Sequence, residues 1–300
     1  MRLRHLLTLS ILAAILLVPA QAQAKPTIAF SDNDVDTLLD KRFQATGIKQ
    51  VRRNVPYDEI ANGGRRLALL DQWFATAQLQ GVEPLVSFYR SRKGKKRLPT
   101  VAGYRKYFRM FRKRYPWVKY YSTFNEANFP DAQPTGNFPK RTAQFYKVAR
   151  KECAGQCTVL TNDFRADGSA HSRWWLKVFK RNMGRGPHTW GLVSHPDVNR
   201  SSTKRTRQFL RSVRGNVWAV EVGAVNYFGK LRPNLKRQTK SMRFVMGRYR
   251  RVSSRIKRMY IYHWRAGPRS SVWDSGLLSR KGGRRPAYFV FFRALGRKAP

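Results

Sequence analysis

The sequence predicts an α/β protein, a single (β/α)8 barrel that follows an N-terminal signal peptide. Short apolar segments alternate with helical segments at fairly even spacing, a pattern typical of parallel strands joined by helices. Eight strand–helix units can be traced, and no Gly-rich phosphate loop interrupts them, which favours a closed barrel over a doubly wound sheet. The length of residues 25–300 is also close to the ~250 residues typical of this fold, and no linker or break in composition divides the segment.

The first 24 residues are predicted to be a secretory signal peptide rather than part of the fold. Arg2 and Arg4 precede an apolar run over residues 6–19, and an Ala-x-Ala sequence ends at Ala24. The run is short for a membrane span, although an uncleaved N-terminal anchor is the alternative. We therefore expect a secreted or cell-envelope-associated protein with one domain over residues 25–300.

The first four strands are predicted from short apolar or aromatic runs that end at polar or turn-forming residues. Gly47 and Gly81 follow two of the intervening helical segments, as glycines commonly do at helix C-termini. Pro116 introduces the fourth strand, which is rich in aromatic residues. The predicted strands cover residues 27–31, 48–55, 84–88 and 118–124, and the predicted helices end at residue 45 or cover 67–79 and 101–114.

The second half of the chain continues the alternation after a loop rich in Pro, Gly and Asn at residues 131–139. A long basic segment precedes the last strand, and Pro286 is compatible with the first turn of a terminal helix. The predicted strands cover 157–161, 190–194, 217–220 and 259–264, and the predicted helices cover 141–152, 174–181, 203–213, 238–257 and 284–295.

Two glutamates stand at the ends of predicted strands that face each other across a closed barrel. Glu126 follows the fourth strand in Phe-Asn-Glu, and Glu221 follows the seventh in Trp-Ala-Val-Glu-Val-Gly. The chain has only five glutamates, so this placement is informative. Strand ends carry the catalytic groups of α/β barrels, and hydrolysis of a glycosidic bond with retention requires two carboxyl groups about 5–5.5 Å apart.

Taken together, these pieces resemble the clan A retaining glycoside hydrolases, the superfamily of cellulases, mannanases, xylanases and xylosidases. The resemblance covers nearly the whole of residues 25–300 and depends on the order and spacing of its parts more than on any one of them. The matching parts are Phe124-Asn125-Glu126, residues 218–223, Arg52 on the second strand, Trp264 on the eighth, and the tail at 273–278 and 285–288.

The resemblance implies a hydrolase of O-glycosidic bonds, with β-linked oligo- or polysaccharide as substrate and a double-displacement mechanism. It implies Glu126 as general acid/base, with a pKa raised by the neighbouring carboxylate, and Glu221 as nucleophile. Arg52 would hold Glu221 ionised and oriented. The superfamily needs no cofactor for this chemistry, and we expect none.

Further substrate contacts are implied in the same way. Asn125 would hydrogen-bond the sugar 2-hydroxyl, and Trp264 would offer an apolar face to the sugar ring. His195 follows the sixth strand and is either a substrate contact or a satisfied strand-end histidine. The superfamily often has a tyrosine two residues after this histidine, whereas this chain has Asp197. A third carboxylate there would either perturb the two glutamates or mark a different substrate contact.

Structural alternatives for these residues remain open from the sequence alone. The two glutamates could be ordinary carboxylates at strand ends, and Arg52 could be an exposed arginine like its neighbour Arg53. Trp264 could belong to the core.

The charge of the chain is extreme, with 61 Lys and Arg against 16 Asp and Glu and a net charge of +45. Such a surface attracts anionic polymers and membranes, although solvated helix faces account for much of it. No RNA-binding signature or helix-turn-helix pattern predicts specific nucleic-acid binding. The competing hypothesis is therefore an inactive barrel that binds anionic envelope polymer or polysaccharide. The basic run at 92–97 suggests an acidic glycan if it borders the cleft.

Cys153 and Cys157 are the only cysteines and are a candidate disulfide in an oxidising compartment. Two cysteines without a nearby histidine pair do not predict a zinc site, and no His-Glu-x-x-His sequence predicts a metal hydrolase. We expect a monomer.

Overall fold

The computed structural model describes residues 25–94, 96–268 and 270–300. The predicted signal peptide lies outside the described residues. In chain order the strands are β1 (Thr27–Ser31), β2 (Gln50–Pro56), β3 (Glu83–Tyr89), β4 (Tyr120–Ser122), β5 (Thr158–Arg165), β6 (Thr189–Val193), β7 (Asn216–Val222), β8 (Tyr227–Phe228), β9 (Ile256–Tyr262) and β10 (Trp273–Asp274).

The helices of the described residues alternate with these strands. They are α1 (Val35–Leu39), α2 (Lys41–Gln44), α3 (Glu59–Asn62), α4 (Gly64–Leu79), α5 (Val101–Arg114), α6 (Pro139–Cys153), α7 (Ala170–Asn182), α8 (His195–Val198), α9 (Lys204–Ser212), α10 (Leu235–Met246) and α11 (Pro286–Ala294). None of the helices in this part of the chain is both long and apolar enough to cross a membrane.

Strands β1 to β7 and β9 form a closed barrel in which all neighbours pair in parallel. The last barrel strand, β9, closes it by pairing with both β7 and β1. The predicted (β/α)8 barrel is therefore confirmed. Strand β8, which follows β7, and strand β10, which follows β9, form a separate two-stranded antiparallel sheet.

Apolar side chains fill the barrel in two layers. The inner layer lies within the ring of strands, and the larger outer layer lies between strands and helices. Because side chains occupy the interior, a ligand can approach the barrel only at its ends or its outer surface. The inner layer consists of Ala29, Leu85, Leu160, Val193, Trp218, Val220 and Tyr260.

Local sequence explains where several helices begin. Thr100 accepts a hydrogen bond from the Gly103 N–H at 3.0 Å at the start of α5, and Ser169 and Asn234 cap α7 and α10 in the same way. Proline occupies the first turn of α6 and α11, where its missing N–H costs nothing.

Two of the element boundaries that differ from the predictions lie in the second half of the barrel. The predicted helix over 238–257 ends early, because α10 stops before Gly247 and the chain turns before entering β9. The predicted fifth strand over 157–161 is too short, because β5 continues to Arg165.

Candidate active site

A cleft of about 740 Å³ opens at the C-terminal ends of the barrel strands. The segments that follow β4 to β7 form much of its wall, and β8 and β10 contribute Phe228 and Trp273. Glu126, Glu221 and His195 all line it. Three of the residues predicted from the sequence therefore share one cavity.

Glu126 is held at the cleft by hydrogen bonds that continue the pairing of β4 beyond its last residue. The Asn125 N–H donates to the Phe88 carbonyl at 2.6 Å, and the Ala127 N–H donates to the Asp163 carbonyl at 3.1 Å. Between them Glu126 has a φ of 40°, in the left-handed region that residues with a Cβ rarely adopt. Strained backbone of this kind concentrates at functional sites.

The Glu221 carboxylate is contacted at both oxygens. Arg52 Nη1 donates to Oε1 at 2.6 Å, and His195 Nε2 lies 3.1 Å from Oε2. Burial alone would raise the pKa of Glu221, but the Arg52 charge and the His195 hydrogen bond outweigh it and lower the pKa from its usual 4.5 to about 2. Glu221 is therefore ionised at neutral pH.

Arg52 is fully buried and contacts side chains from several other strands. Its Nη1 also donates to Ser31 Oγ at 2.9 Å, and its Nη2 donates to Asn125 Oδ1 and Asp163 Oδ2, both at 2.6 Å. Burial lowers the pKa of Arg52, but the charges of Asp163 and Glu221 outweigh this, so the guanidinium stays charged. The alternative that Arg52 is an exposed arginine is therefore wrong.

His195 has a defined tautomer. The Gly223 N–H donates to His195 Nδ1 at 2.9 Å, so the proton of the neutral ring is on Nε2 and is donated to Glu221. Gly223 has to lack a side chain, because a Cβ there would lie 2.8 Å from His195 Cε1 and Nδ1. The sequence left His195 as either a substrate contact or a satisfied strand-end histidine. In the structure its ring nitrogens are both hydrogen-bonded, and the residue also lines the cleft.

Glu126 has the opposite electrostatic environment. Burial raises its pKa, the neighbouring Glu221 carboxylate raises it further, and Arg165 and Arg52 oppose both effects. The pKa of Glu126 moves from its usual 4.5 to about 7. At a pH between the pKa of Glu221, about 2, and that of Glu126, about 7, Glu126 holds a proton while Glu221 is ionised.

Asn125 is oriented by the same guanidinium. Its Oδ1 accepts the hydrogen bond from Arg52, which assigns the amide orientation and leaves Nδ2 as a donor. A neutral amide donor next to two carboxyl groups suits a hydroxyl-bearing ligand, the role that the resemblance implies for this residue.

Trp264 does not line the cleft, and the prediction for it is wrong. Its side chain is fully buried, packs edge-on against Phe30 and Phe43 with ring centroids 5.5 Å away, and donates through Nε1 to Asp40. The prediction failed because β9 ends at Tyr262, so the alternation of side-chain directions does not continue to Trp264. Trp264 belongs to the core.

Tyr262 and Trp273 line the cleft instead, together with Phe129 and Phe228. The Trp273 ring centroid lies 4.5 Å from that of His195. The next residue, Asp274, accepts two hydrogen bonds from Arg285, both at 2.8 Å. The tail segments that contributed to the sequence resemblance therefore support one wall of the cleft.

Asp197 is directed toward helix α9 rather than toward the glutamates. Its buried carboxylate accepts hydrogen bonds from the N–H groups of Arg205 and Thr206, at 3.2 and 2.7 Å, and thereby caps α9. His195, two residues earlier, contacts Glu221. The third carboxylate is structural.

Asp163 is the main residue of the site that the sequence did not single out. Its Oδ2 accepts from Arg52 and from Ser87 Oγ at 2.5 Å, and its Oδ1 accepts from Ser122 Oγ at 2.6 Å. The predicted fifth strand stopped before it, which placed Asp163 in a loop. A strand prediction that continued to Arg165, where β5 ends, would have placed Asp163 two residues before a strand end and marked it as a candidate site residue.

Cys153 and Cys157 form a disulfide between the end of α6 and the start of β5, at the end of the barrel opposite the cleft. Within residues 25–94, 96–268 and 270–300, no group of three or more His, Cys, Asp or Glu side chains could hold a metal ion.

No protein-family model matches the sequence, and no curated protein sequence matches it either. Solved structures share its fold. An endo-1,4-β-xylanase from Penicillium canescens superposes with a TM-score of 0.65 and 12% sequence identity, and the match covers 92% of this chain and 96% of the xylanase.

Two further solved structures are similar over most of their length. A Thermotoga petrophila xylanase in complex with xylobiose gives a TM-score of 0.60 at 10% identity, covering 91% of this chain and 94% of that one. A Rhizomucor miehei β-1,3-glucanosyltransferase in complex with laminaritriose gives 0.60 at 11% identity, covering 87% and 96%. Identities this low show a shared fold, so the activity has to be argued from the residues of the cleft.

Proposed function

We propose that the protein is a retaining glycoside hydrolase, with Glu126 as general acid/base and Glu221 as nucleophile. The observation that carries the proposal is two carboxyl groups in one cleft whose pKa values move in opposite directions, to about 7 and about 2. Such a pair supplies a proton donor and an ionised nucleophile at the same pH. The shared fold with two xylanases and a glucanosyltransferase supports it.

The reaction would proceed in two steps. In the first, Glu221 attacks the anomeric carbon while Glu126 donates its proton to the glycosidic oxygen, so that the C–O bond breaks and an ester joins the sugar to Glu221. In the second, the ionised Glu126 removes a proton from water, whose oxygen attacks the anomeric carbon and releases the Glu221 carboxylate. Two inversions give net retention.

The neighbours of the glutamates would serve these steps. Arg52 and His195 orient Glu221 before substrate binds and stabilise it as a carboxylate when it leaves the sugar. Asn125 Nδ2 would donate to the sugar 2-hydroxyl, a hydrogen bond that strengthens in the transition state. Tyr262 and Trp273 would contact the apolar face of a sugar ring. We propose a β-linked oligo- or polysaccharide as substrate.

The test is a panel of aryl β-glycosides assayed with the wild type, Glu126→Ala, Glu221→Ala and a control, Glu83→Ala. Glu83 is exposed at the start of β3, so we expect this control to keep its turnover, while both cleft variants lose theirs. Added azide should restore turnover by Glu221→Ala and give a glycosyl azide of inverted configuration, because the anion attacks from the side that the carboxylate occupied. A folded wild type that cleaves nothing in a broad panel, acidic polysaccharides included, would rule the proposal out.

The second candidate function is an inactive barrel that binds anionic polymer, and the net charge of +45 favours it. This candidate predicts polyanion binding that Glu126→Ala and Glu221→Ala leave unchanged. Azide rescue of Glu221→Ala excludes it.

We also propose that the mature protein acts outside the cytoplasm. Residues 1–24 have the composition of a signal peptide, and the Cys153–Cys157 disulfide is a bond typical of oxidising compartments. N-terminal sequencing of the exported protein should begin at Lys25, whereas retention of residue 1 would support the uncleaved anchor.

A further inference from the structure

The cleft has a strong excess of positive charge. Its described lining residues include one carboxylate besides the two glutamates, Asp167. The charge of Glu221 is compensated by Arg52 at 2.6 Å, and Glu126 holds a proton below its pKa of about 7. Against Asp167 stand four guanidinium groups on the walls, those of Arg165, Arg200, Arg205 and Arg237.

Arg165 is the cleft arginine placed to affect the reacting groups. It is the last residue of β5, and its guanidinium carbon lies 3.9 Å from the centre of the Phe129 ring. Its charge acts on both Glu126 and Asp167, and within the described chain neither carboxylate forms an ion pair with it. An aromatic face orients a guanidinium without neutralising it, so its N–H donors can bind an anion.

The other three cleft arginines are also oriented by neutral groups. Arg200 and Arg205 donate to the Pro196 carbonyl at 2.9 and 3.4 Å, and Arg237 donates to the Arg232 carbonyl at 2.7 Å. Each guanidinium has five N–H donors, so one or two carbonyl contacts leave donors for a ligand.

Within the described residues none of the four cleft arginines forms an ion pair, which by itself is ordinary in a chain with 61 basic and 16 acidic residues. Composition alone does not explain why four oriented guanidinium groups line the same cavity as the two glutamates. Elsewhere in the described chain, several arginines outside the cleft do pair with acids, as in Arg92–Glu59, Arg109–Glu152 and Arg114–Asp71.

We propose that the glycan cleaved in this cleft is anionic and that Arg165 recognises its carboxylate or sulfate group beside the bond that is cleaved. Arginine binds such groups through two parallel, charge-assisted hydrogen bonds. The proposal rests on the proposed function for the identity of the site. The positive charge comes from the cleft walls, whereas Arg92 of the basic run at 92–97 pairs with Glu59.

The test measures binding rather than turnover, in the Glu221→Gln background at one pH and one ionic strength. The ligands are hyaluronan, poly-β-D-mannuronate and glucuronoxylan, each compared with its carboxyl-reduced form, and carrageenan compared with its desulfated form. We expect the Kd for at least one anionic ligand to be lower than that for its neutral counterpart by about tenfold or more. The uronate and sulfate pairs distinguish the two sources of negative charge.

Arg165→Gln and the control Arg211→Gln are then introduced separately. Arg211 is exposed on α9 and does not line the cleft, so the two variants remove the same charge from different places. We expect Arg165→Gln to abolish most of the discrimination between charged and neutral ligands and Arg211→Gln to keep it. Thermal melts check that both variants fold.

Equal affinity for charged and neutral forms, or equal effects of the two substitutions, would overturn the proposal. Turnover of neutral glycans with no charge preference would leave the hydrolase proposal standing and remove this one. Charge discrimination that depends on Arg165 without any turnover would keep Arg165 as an anion-binding residue and remove the hydrolase proposal.

Discussion

Arg52 determines which carboxyl group of the cleft is ionised. Its two terminal nitrogens reach Glu221 and Asp163 at 2.6 Å each, and the planar fork of arginine makes both contacts possible from one buried side chain. Lysine would present one point charge and could not span the same partners. Glu126 receives the Arg52 charge from outside hydrogen-bonding contact, and burial therefore dominates its pKa. One arginine thus separates two chemically identical groups.

The raised pKa of Glu126 predicts how its replacement affects stability. A folded pKa of about 7 against a usual 4.5 means that stability present below pH 4.5 is lost as the pH rises toward 7, because the unfolded chain ionises first. The free energy of unfolding of Glu126→Gln minus that of the wild type should therefore be larger at pH 8 than at pH 4, by up to about 3 kcal/mol. Urea denaturation at both pH values measures this. The exposed control Glu83→Gln should show no such difference, and a pH-independent effect of Glu126→Gln would contradict the assignment.

His195 is predicted to be a positioning residue for Glu221. His195→Phe removes the Nε2–H donor, and a hydrogen bond to a charged group contributes about 1.5–3 kcal/mol, so we expect kcat/KM to fall about 10- to 100-fold. The pKa of Glu221 should rise, which moves the acidic limb of the pH profile of kcat/KM upward. His195→Gln, which retains an N–H donor, should recover part of the loss. Lower thermal stability with an unmoved acidic limb would indicate a merely structural role.

Five strands of the barrel each contribute a residue to one hydrogen-bonded group at the site. Ser31 comes from β1, Arg52 from β2, Ser87 from β3, Asp163 from β5 and Glu221 from β7, and hydrogen bonds connect all five. Parallel pairing of the strands places these side chains at one end of the barrel. The helices and loops then hold the walls, as Asp197 of α8 does for α9.

The capping contact of Asp197 leads to a prediction that separates structure from catalysis. Asp197→Ala leaves two N–H groups at the start of α9 without their acceptor, so we expect a loss of about 1–2 kcal/mol in the free energy of unfolding. The folded variant should keep its kcat at 25 °C. Denaturant unfolding and a kinetic assay on the same preparation measure both quantities. Lost turnover at unchanged stability would return Asp197 to the reacting groups.

Periodicity predicted the barrel and placed Glu126 and Glu221 at strand ends, because alternation and turn residues are local signals. The choice of Arg52 came from the resemblance to the clan A glycoside hydrolases. Periodicity missed Asp163, since a polar Thr-Asn-Asp sequence looks like a loop although β5 continues through it. The strand predicted over 259–264 ran two residues too far, since nothing local shows that β9 ends at Tyr262, and the role that the resemblance implied for Trp264 failed with it. Contacts such as that of His195 with Glu221 join residues 26 positions apart, and only the closed barrel brings them together.

The whole molecule combines an acid-poor surface with a cleft whose buried charges are paired. Its net charge of +45 is spread along the chain, whereas the deepest ion pairs, Arg52 with Asp163 and Glu221, are fully or almost fully removed from solvent. Salt screens exposed charges far more than buried ones. Ionic strength should therefore act on the surface and leave the electrostatics of the two glutamates nearly intact.

This separation predicts opposite responses to salt for stability and for polyanion binding. Raising NaCl from about 20 mM to about 0.5 M shortens the Debye length from roughly 20 Å to below 5 Å, so repulsion among surface cations weakens and Tm should rise. Binding to an anionic polymer should weaken over the same range, because releasing the bound counterions into a more concentrated salt solution is less favourable. A variant with Arg173→Glu, Lys177→Glu and Arg211→Glu, all on the helix layer, should show a smaller rise in Tm. A Tm that falls with salt would mean that specific surface ion pairs outweigh the net repulsion. Thermal melts and titrations across the salt series decide between the two, because a protein with so few acids has little attraction for salt to weaken.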